Sequence, residues 1–169
     1  MSDIGFWIEP LKNQHERSDF DCGNDWLNDY LKRYARQNTA NGSSRTYVAV
    51  LPTESRVCGY FTLSAGAVAL ADFPESERKG RPHLVPTVHL GRLAVDRKFQ
   101  GQGLGFSLMR AAMETTIQVE ELVGVAALEL WAIDEAAHTY YLRFGFSSLL
   151  DDQLHLYATL KRVRQFLNA

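Results

Sequence analysis

The pattern of apolar and polar positions is clearest over residues 88–122, where it changes from one period to another. Val88–Val95 is apolar and partly β-branched, which predicts a buried strand. After a charged turn, apolar positions recur at helical spacing, which predicts a helix ending near Leu122 that carries Leu104, Leu108, Ala112, Thr115 and Val119 on one face. Strand and helix therefore flank a glycine-rich turn, Gln100–Gly105.

The N-terminal half predicts strands separated by one helix. The strands are expected at Ile4–Ile8, Thr46–Leu51 and Val57–Leu63, and the last two read as an antiparallel hairpin. Asn24 or Asp25 is expected to cap a helix whose apolar face carries Trp26, Leu27, Tyr30, Leu31 and Tyr34. Residues 38–44 are predicted to form a loop. Asp72–Pro86 has no clear period and is predicted to form a long connection.

The C-terminal half adds a buried strand, a short helix and a final strand. The strand is predicted at Ala126–Ile133, the helix from Asp134 or Glu135 to Phe144, and the last strand at Gln153–Leu160. Strands outnumber helices and their order is mixed, which predicts an α/β fold with one mixed sheet. A chain of 169 residues suits one domain with a core of its own, so we expect a single domain over residues 1–169.

Composition and charge narrow the classes of function. A chain with 46% hydrophobic and 22% charged residues is not disordered as a whole. A net charge of −2 argues against coating nucleic acid through bulk charge, so such binding would need a local basic patch. The two cysteines and five histidines lack metal-ligand or disulfide spacing, and we expect no metal. Neither a membrane span nor a secretory signal is visible, which favours a cytoplasmic protein.

The glycine-rich turn suits an anion. A strand, a turn and a helix N-terminus direct several free backbone N–H groups at one spot, which attracts phosphates. Glycine lets a phosphate approach the backbone and also adopts positive φ. The run lacks the Lys-Ser/Thr pair of a P-loop and an acidic residue at Rossmann spacing, so nucleotide hydrolysis and NAD binding are poorly supported. A tight strand–helix junction without a ligand is the alternative.

Basic residues gather in two segments. Lys32, Arg33 and Arg36 lie opposite the apolar face of the first helix, and Arg45 follows the next loop. Ion pairs from Asp29 to Lys32 and Arg33 favour a merely solvated face there. Arg78, Lys79 and Arg81 lie in the long connection, which is of a length that is usually functional or mobile. A merely solvated loop is the alternative there. Arg92 lies on the central strand and could face either way.

A second candidate stretch is the aromatic run Ala137–Phe146. Ala137, Tyr140, Tyr141 and Phe144 share one helical face. Taken alone, this arrangement favours packing against the core.

Two motifs together resemble a known superfamily. Gln100, Gly103 and Gly105 form Gln-x-x-Gly-x-Gly directly after a Val-Asp strand end, which resembles the acetyl-CoA pyrophosphate loop of the GNAT N-acetyltransferases. The Tyr-x-x-x-Gly-Phe run that begins at Tyr141 looks like the last conserved block of that superfamily. The resemblance implies an acetyl-CoA-dependent N-acetyltransferase, and a single α/β domain with a central mixed, mostly antiparallel sheet flanked by helices.

The same resemblance assigns roles to residues. The pyrophosphate would be held by backbone N–H groups of the loop, namely Gln100, Gly101, Gln102, Gly103, Leu104 and Gly105. The pantetheine arm would pair with the backbone at Leu93, Ala94 and Val95. Tyr141 would act as general acid on the leaving thiolate. An α-amino group with a pKa of about 8 needs no strong general base, and direct transfer without an acyl-enzyme is expected.

Further stretches look like the toxin branch of the superfamily, the acetylating toxins of bacterial type II toxin–antitoxin pairs. They are Phe20–Gly23, the Trp26–Tyr34 helix, Ser44–Val48 and Gly91–Asp96. This implies acetylation of the amino acid on charged tRNA, a block of translation and a small ribbon-helix-helix antitoxin, and it allows a homodimer. Candidate contacts to tRNA are Lys32, Arg33, Arg36, Arg45, Arg78, Lys79, Arg81 and Arg92.

Two other functions stay open on the sequence. One is a GNAT enzyme that acetylates a small-molecule amine or a protein N-terminus, which the net charge of −2 favours slightly. The other is a binding module that keeps the acetyl-CoA fold without turnover, but such a module would be expected to lack the acid, and Tyr141 is present.

Overall fold

A mixed sheet of seven strands is the main feature of the computed structural model, which describes residues 5–169. The strands are β1 (Trp7–Pro10), β2 (Arg45–Val50), β3 (Val57–Ala69), β4 (Leu84–Val95), β5 (Ala127–Trp131), β6 (Ser147–Ser148) and β7 (His155–Thr159). The α-helices are α1 (Asp25–Asp29), α2 (Ala35–Ala40), α3 (Leu104–Leu122), α4 (Glu135–Leu142) and α5 (Leu160–Leu167).

The order of the strands in the sheet is β1-β2-β3-β4-β5-β7-β6. β4 and β5 run parallel, whereas β1–β2, β2–β3, β5–β7 and β6–β7 are antiparallel. The mixed, mostly antiparallel sheet with helices confirms the predicted fold class, and the β2–β3 pairing confirms the predicted hairpin.

The chain divides into two compact units, and each is assembled from separated stretches. Unit 1 comprises the chain up to Ser64 together with Gly91–Ala112, and unit 2 comprises Ala65–Leu90 and Met113–Ala169. β3, β4 and α3 each contribute residues to both units. The single domain over residues 1–169 stays a prediction.

Unit 1 has its own apolar core beneath the first helices. Phe20 packs edge-on against the ring of Tyr60, with 5.6 Å between ring centroids. The buried hydroxyl of Tyr60 donates to the carbonyl of Leu27 at 2.7 Å, which satisfies its hydrogen-bonding need. The cluster is completed by Leu11, Tyr30, Leu31, Ala35, Val48, Val50, Val57 and Ala94.

The first helix departs from the predicted pattern. Asn24 caps α1 as expected, since its side chain accepts from the backbone N of Leu27 at 3.2 Å. The turn Tyr30–Tyr34 is π-helical, which inserts one residue and changes the faces that follow. Leu31 is fully buried, yet Trp26 is 88% exposed. The predicted apolar face is wrong at the half-exposed Tyr34, which ends the π-helical turn, and also at Trp26, which precedes that turn. α2 extends the helical segment into the predicted loop.

Unit 2 has a second core, in which Phe73 packs edge-on against Tyr157 with 5.2 Å between ring centroids. Its other buried members are Val68, Val85, Ala127 and Leu149. The long connection lies in this unit and is more ordered than predicted. It contains the 3₁₀ turns Leu70–Asp72 and Glu75–Glu77, and a hydrogen bond of 2.9 Å from the N of Leu70 to the carbonyl of His83 closes it.

Other differences from the prediction concern element ends. β3 continues to Ala69, and β4 begins at Leu84, before the predicted Val88. β1 runs from Trp7 to Pro10; the predicted start, Ile4, lies outside the described residues. On α3 the buried threonine is Thr116 and not Thr115. The strand β6 and the helix α5, which Thr159 caps, were not predicted.

Candidate functional site

The glycine turn of unit 1 starts from a fixed point, the carboxylate of Asp96 at the end of β4. This side chain is buried, and its two oxygens accept from the backbone N of Lys98 at 2.9 Å and of Asp21 at 3.1 Å. The backbone N of Asp96 donates to the carbonyl of Cys58 at 2.8 Å. These bonds fix where the chain leaves the sheet before the turn begins.

In the turn itself, the glutamine side chains point back to the protein. The amide of Gln100 donates to the carbonyl of Val95 at 2.9 Å and to that of Cys22 at 3.2 Å. The amide of Gln102 donates to the carbonyl of Lys98 at 3.2 Å. Because both side chains are tied down in this way, the turn presents mainly its backbone to a ligand.

Two glycines of the turn have positive φ, +78° at Gly101 and +83° at Gly103. An L-residue with a side chain rarely adopts this conformation. α3 starts directly afterwards, and its first-turn N–H groups have no acceptor within the helix. The dipole of the helix adds roughly half a positive charge at this end. The turn is thus suited to a phosphate or diphosphate.

The last part of β4 offers an edge of backbone. Its parallel register with β5 covers Thr87–Leu90, and Leu93–Val95 lies beyond that register. On the side of β3, a Cβ built on Gly59 would lie 3.1 Å from the carbonyl oxygen of Ala94, so the two backbones approach closely. An extended ligand with amide groups could pair with the edge of Leu93–Val95 that β5 does not cover.

In unit 2, Tyr141 lies on α4, whose first turn is capped by Asp134 accepting from the N of Ala137 at 2.8 Å. The half-buried ring of Tyr141 packs edge-on against Tyr140 and Phe146, with centroid distances of 5.4 and 6.2 Å. Burial, and secondarily the neighbouring Tyr140, raises the pKa of Tyr141 to about 12. The phenol therefore keeps its proton at neutral pH and is able to donate it.

Tyr140 has a different role in the same helix. Its ring packs against Phe144 at 5.1 Å, and the guanidinium of Arg143 lies 5.9 Å from the ring centroid. Burial also raises the pKa of Tyr140. Of the predicted apolar face, only Phe144 is fully buried, whereas Ala137, Tyr140 and Tyr141 are half-buried. The prediction that this face packs against the core therefore holds only at Phe144.

The predicted basic residues fall into two groups. The first is exposed and is formed by Lys32, Arg33, Arg36, Arg45 and Lys79. Within it, only a loose pair of 4.0 Å joins Arg33 to Asp29. The second group is engaged by the protein itself: Arg78 donates to the carbonyls of Phe73 and Ala71 at 2.8 and 3.1 Å, and Arg81 to that of Glu77 at 2.7 Å. Arg92 stacks on a tyrosine ring in unit 1.

Two polar clusters were not predicted. In unit 1, Asn28 is buried and bridges Asp21 and Cys22, with hydrogen bonds of 3.0 and 2.9 Å. In unit 2, Glu129 is buried on β5 and accepts from His89 at 2.7 Å and from His155 at 2.5 Å. Burial alone would raise the pKa of Glu129, but the two histidines outweigh it and lower the pKa. His89, Glu129 and His155 are far apart in sequence, so no periodic pattern marks their cluster. Asp21, Cys22 and Asn28 are close in sequence, but they lie in a polar stretch without a recognisable motif.

Residues 5–169 contain no group of three or more histidine, cysteine or acidic side chains arranged to hold a metal ion. Within the same range, no helix is both long and apolar enough to cross a membrane.

Comparison with known proteins gives a family. The family described as "Acetyltransferase (GNAT) domain" matches residues 42–148, more than half of the chain. The matched region includes β4, the glycine turn and Tyr141. A "tRNA-acetylating toxin" of Mycobacterium tuberculosis is 37% identical over 157 residues, which is 93% of each protein.

Solved structures with the same fold include two of the toxin AtaT. One is AtaT complexed with acetyl-methionyl-tRNAfMet, with 32% identity and a TM-score of 0.89 over 95% of this chain and 98% of AtaT. The other is a tyrosine-to-phenylalanine mutant of AtaT bound to the C-terminus of the antitoxin AtaR and to acetyl-CoA. It has 30% identity and a TM-score of 0.82 over 97% of this chain and 99% of AtaT.

Proposed function

The chain belongs to the GNAT family of acetyltransferases, and on that premise we propose that it is a toxin that acetylates the α-amino group of an amino acid carried on tRNA. The observation that carries the proposal is the identity of 37% to a tRNA-acetylating toxin over 93% of both chains. The likeness to AtaT in complex with an acetylated aminoacyl-tRNA supports the same class of substrate. Acetylation of that amine would block translation.

The glycine turn fits the diphosphate of acetyl-CoA. Gly101 and Gly103 have no Cβ that would obstruct a phosphate, and both adopt a positive φ. The side chains of Gln100 and Gln102 are bound to carbonyls of the protein. The N–H groups of the turn and of the start of α3 would hold the phosphates. The free edge at Leu93–Val95 would pair with the amides of the pantetheine arm.

Tyr141 is the proposed general acid. Bound acetyl-CoA would supply an acetyl thioester, whose C–S bond breaks as the amine forms the new amide. The hydroxyl of Tyr141 holds its proton at neutral pH, because its pKa is raised to about 12, and would pass it to the departing sulfur. The proton that the amine loses as the amide forms would return the tyrosinate to the phenol. The mutated tyrosine in the AtaT complex with acetyl-CoA supports a role for such a residue.

The thiols of this chain support direct transfer. Burial raises the pKa of Cys58 to about 11 and also raises the pKa of Cys22. A thiol that stays protonated at neutral pH is a poor nucleophile. Neither cysteine is therefore suited to carry the acetyl group, and the amine would attack the thioester itself.

The exposed basic residues are the proposed contacts to tRNA phosphates. Among them, Lys32, Arg33 and Arg36 share one helical segment, so they form a local patch in a chain of net charge −2. Arg45, Lys79 and Arg92 complete the proposed set. Arg78 and Arg81 bind carbonyls of their own loop, and we assign them a smaller share of tRNA binding.

The proposed partner is an antitoxin. AtaT in complex with AtaR supports a partner of that kind. We propose that it is a small ribbon-helix-helix protein and that the toxin forms a homodimer. Because charged tRNA is used by ribosomes, the proposed compartment is the cytoplasm.

A direct assay tests the substrate class. Purified protein is mixed with acetyl-CoA and a pool of charged tRNAs, and the aminoacyl ends are analysed by mass spectrometry. We expect one added acetyl group per modified amino acid, no reaction with deacylated tRNA and growth arrest when the gene is expressed. If small amines or peptides are acetylated while charged tRNA is not, the protein is an ordinary GNAT enzyme.

Salt dependence tests the basic patch. The double variant Arg33→Ala/Arg36→Ala should bind tRNA more weakly and with a lower sensitivity to salt. Each lost phosphate contact should reduce the slope of log affinity against log salt by roughly 0.7–0.9. The matched control is Lys161→Ala/Arg162→Ala, which removes two exposed cations from α5. Equal slopes in the Arg33/Arg36 variant and the parent would show that this face is only a solvated surface.

A further inference from the structure

A cavity in unit 1 is lined by neither the glycine turn nor Tyr141. Its volume is about 430 Å³, within the roughly 300–1,000 Å³ usual for ligand sites. Its aromatic and polar lining side chains are Trp26, Asp29, Tyr30, Tyr34, Asn38 and Arg92. Three of these six are aromatic and one is a guanidinium, which is an unusual concentration of flat groups around one cavity.

The π-helical turn Tyr30–Tyr34 accounts for the position of Tyr34 at this cavity. The one inserted residue rotates Tyr34 away from the buried face, so that Tyr34 is 50% exposed. Trp26, on the preceding α1, is 88% exposed. Large aromatic side chains are normally buried, so two exposed ones at the same cavity indicate a binding surface for a ligand or a partner. π-Helical turns inside helices are frequent at functional sites.

The floor of the cavity is rigid. The hydroxyl of Tyr30 is held by the hydroxyl of Ser44 at 2.7 Å and by the amide of Asn38 at 3.1 Å. The guanidinium carbon of Arg92 lies 3.5 Å from the centroid of the Tyr30 ring. A stacked guanidinium keeps its outer face available, and its position here is fixed by a side chain that is itself buried.

The chemistry of these groups selects a flat, uncharged ring attached to an anion. Exposed aromatic faces and arginine planes are what proteins use to stack unpaired nucleobases. The carboxylate of Asp29 and the amide of Asn38 add hydrogen-bonding groups for a base edge. Lys32, Arg33 and Arg36, on the same helical segment, provide the positive charge that complements a phosphate backbone.

We propose that this cavity, the Trp26–Arg92 pocket, stacks a nucleobase of the single-stranded 3′ end of the acceptor tRNA. The inference rests on the proposed function, because it assumes that tRNA is the substrate. The pocket would fix the position of the acceptor end, while the basic patch of Lys32, Arg33 and Arg36 would bind the phosphates. It would therefore act on substrate affinity and not on the chemical step.

Binding of tRNA with and without its 3′ end tests the pocket. Deacylated tRNA and the same tRNA trimmed of its single-stranded 3′ nucleotides are titrated onto the parent, Trp26→Ala, Trp26→Phe and the control Trp7→Ala. Trp7 is 58% exposed on β1 and does not line the pocket. Trp26→Ala should lose about 5- to 150-fold in affinity for intact tRNA, as expected for one stacked base, and should no longer distinguish it from trimmed tRNA. Trp26→Phe should restore most of the difference.

Kinetics and fluorescence give independent readouts. Trp26→Ala should raise KM for charged tRNA by a similar factor and leave kcat and acetyl-CoA affinity near parental values. In a Trp7→Phe/Trp131→Phe background, Trp26 is the remaining tryptophan of the three, and intact tRNA should quench it more than trimmed tRNA.

The outcomes separate the two proposals. A parent that binds and acetylates tRNA, with Trp26→Ala behaving like Trp7→Ala, overturns the pocket and leaves the proposed function standing. An equal loss of affinity for intact and trimmed tRNA also overturns it. A parent that neither binds nor acetylates tRNA overturns both, and quenching of Trp26 by a protein partner instead would assign the pocket to that partner.

Discussion

The glycine turn Gln100–Gly105 and the helix α4 leave opposite parts of their residues available to a ligand. In the turn, the side chains of Gln100 and Gln102 bind carbonyls of the protein, while the backbone at Gly101 and Gly103 remains open. In α4 the backbone N–H and C=O groups form helical hydrogen bonds, and the hydroxyl of Tyr141 is the group that could contact a ligand. In the proposed function, the turn would therefore act through its backbone conformation and α4 through a single functional group.

The difference determines which substitutions each region tolerates. The turn should be sensitive to any side chain added at a glycine and insensitive to the loss of a glutamine side chain. The helix should behave the other way round, since the ring of Tyr141 packs against its neighbours and its oxygen is the proposed proton donor. A change at either region is therefore best measured beside a matched change that should be harmless.

The largest effect is expected for Gly103→Asp, which should remove measurable binding of acetyl-CoA. The new carboxylate would occupy and repel the phosphate position, and a residue with a side chain is strained at a φ of +83° by about 1–2 kcal/mol. Gly42→Asp carries similar strain at a φ of +78°, in a turn with no atom within 4 Å of the added Cβ. Calorimetric titration of both variants beside thermal melts separates strain from charge. Parental affinity in a folded Gly103→Asp protein would contradict the phosphate assignment.

The next largest effect is expected for Tyr141→Phe, which should lower kcat by about 10²–10⁴-fold at neutral pH, the usual contribution of general acid catalysis. The ring still packs against Tyr140 and Phe146, so melting temperature and acetyl-CoA affinity should stay near parental values. Tyr140→Phe is the control, since its ring packs against Phe144 instead. A thiol-release assay measures both variants. An equal loss in the two would assign the effect to packing and not to proton donation.

The glycine turn and α4 also differ in how much of each could be predicted from the sequence. The turn and α3 were predicted nearly in full, and β4 over Val88–Val95, because glycine spacing and a helical period are properties of neighbouring residues. The family followed from the same stretch. The proposed role of Tyr141 came from the resemblance alone, since its helical face by itself favoured core packing.

The failures arose where distant residues decide the structure. Tyr34 was assigned to a buried face because nothing local signals the π-helical turn Tyr30–Tyr34. Trp26 was assigned to the same face because its spacing fits a helical period, whereas its exposure depends on what the fold places beside α1. The cluster of Glu129, His89 and His155 depends on the neighbouring strands β4, β5 and β7, whose order the sequence does not display. Arg78 and Arg81 looked like free cations, but each binds carbonyls of a loop that only the fold creates.

The pH dependence should also separate the two regions. Folding raises the pKa of Tyr141 from about 10 to about 12, so this group favours the folded state below about pH 10 and that contribution is lost as the pH rises toward 12. kcat/KM for charged tRNA should fall tenfold per pH unit below about 8, where the substrate amine becomes protonated, and should show no decline up to about pH 9.5. The acid limb should persist in Tyr141→Phe. A basic limb between about pH 8 and 9 in the parent would contradict a general acid with so high a pKa.

The smallest effect is expected for Gln102→Ala. Its amide makes one hydrogen bond, to the carbonyl of Lys98, whereas Gln100 makes two, to the carbonyls of Val95 and Cys22. A neutral hydrogen bond contributes about 0.5–1.5 kcal/mol, and less where water can replace it. Because the backbone at Gly101 and Gly103 would stay in place, acetyl-CoA affinity should change by less than about threefold in Gln102→Ala and somewhat more in Gln100→Ala. Calorimetric titration of both variants measures this order. A large loss in Gln102→Ala alone would mean that its side chain contacts the ligand, and the turn would then act through side chains as α4 does.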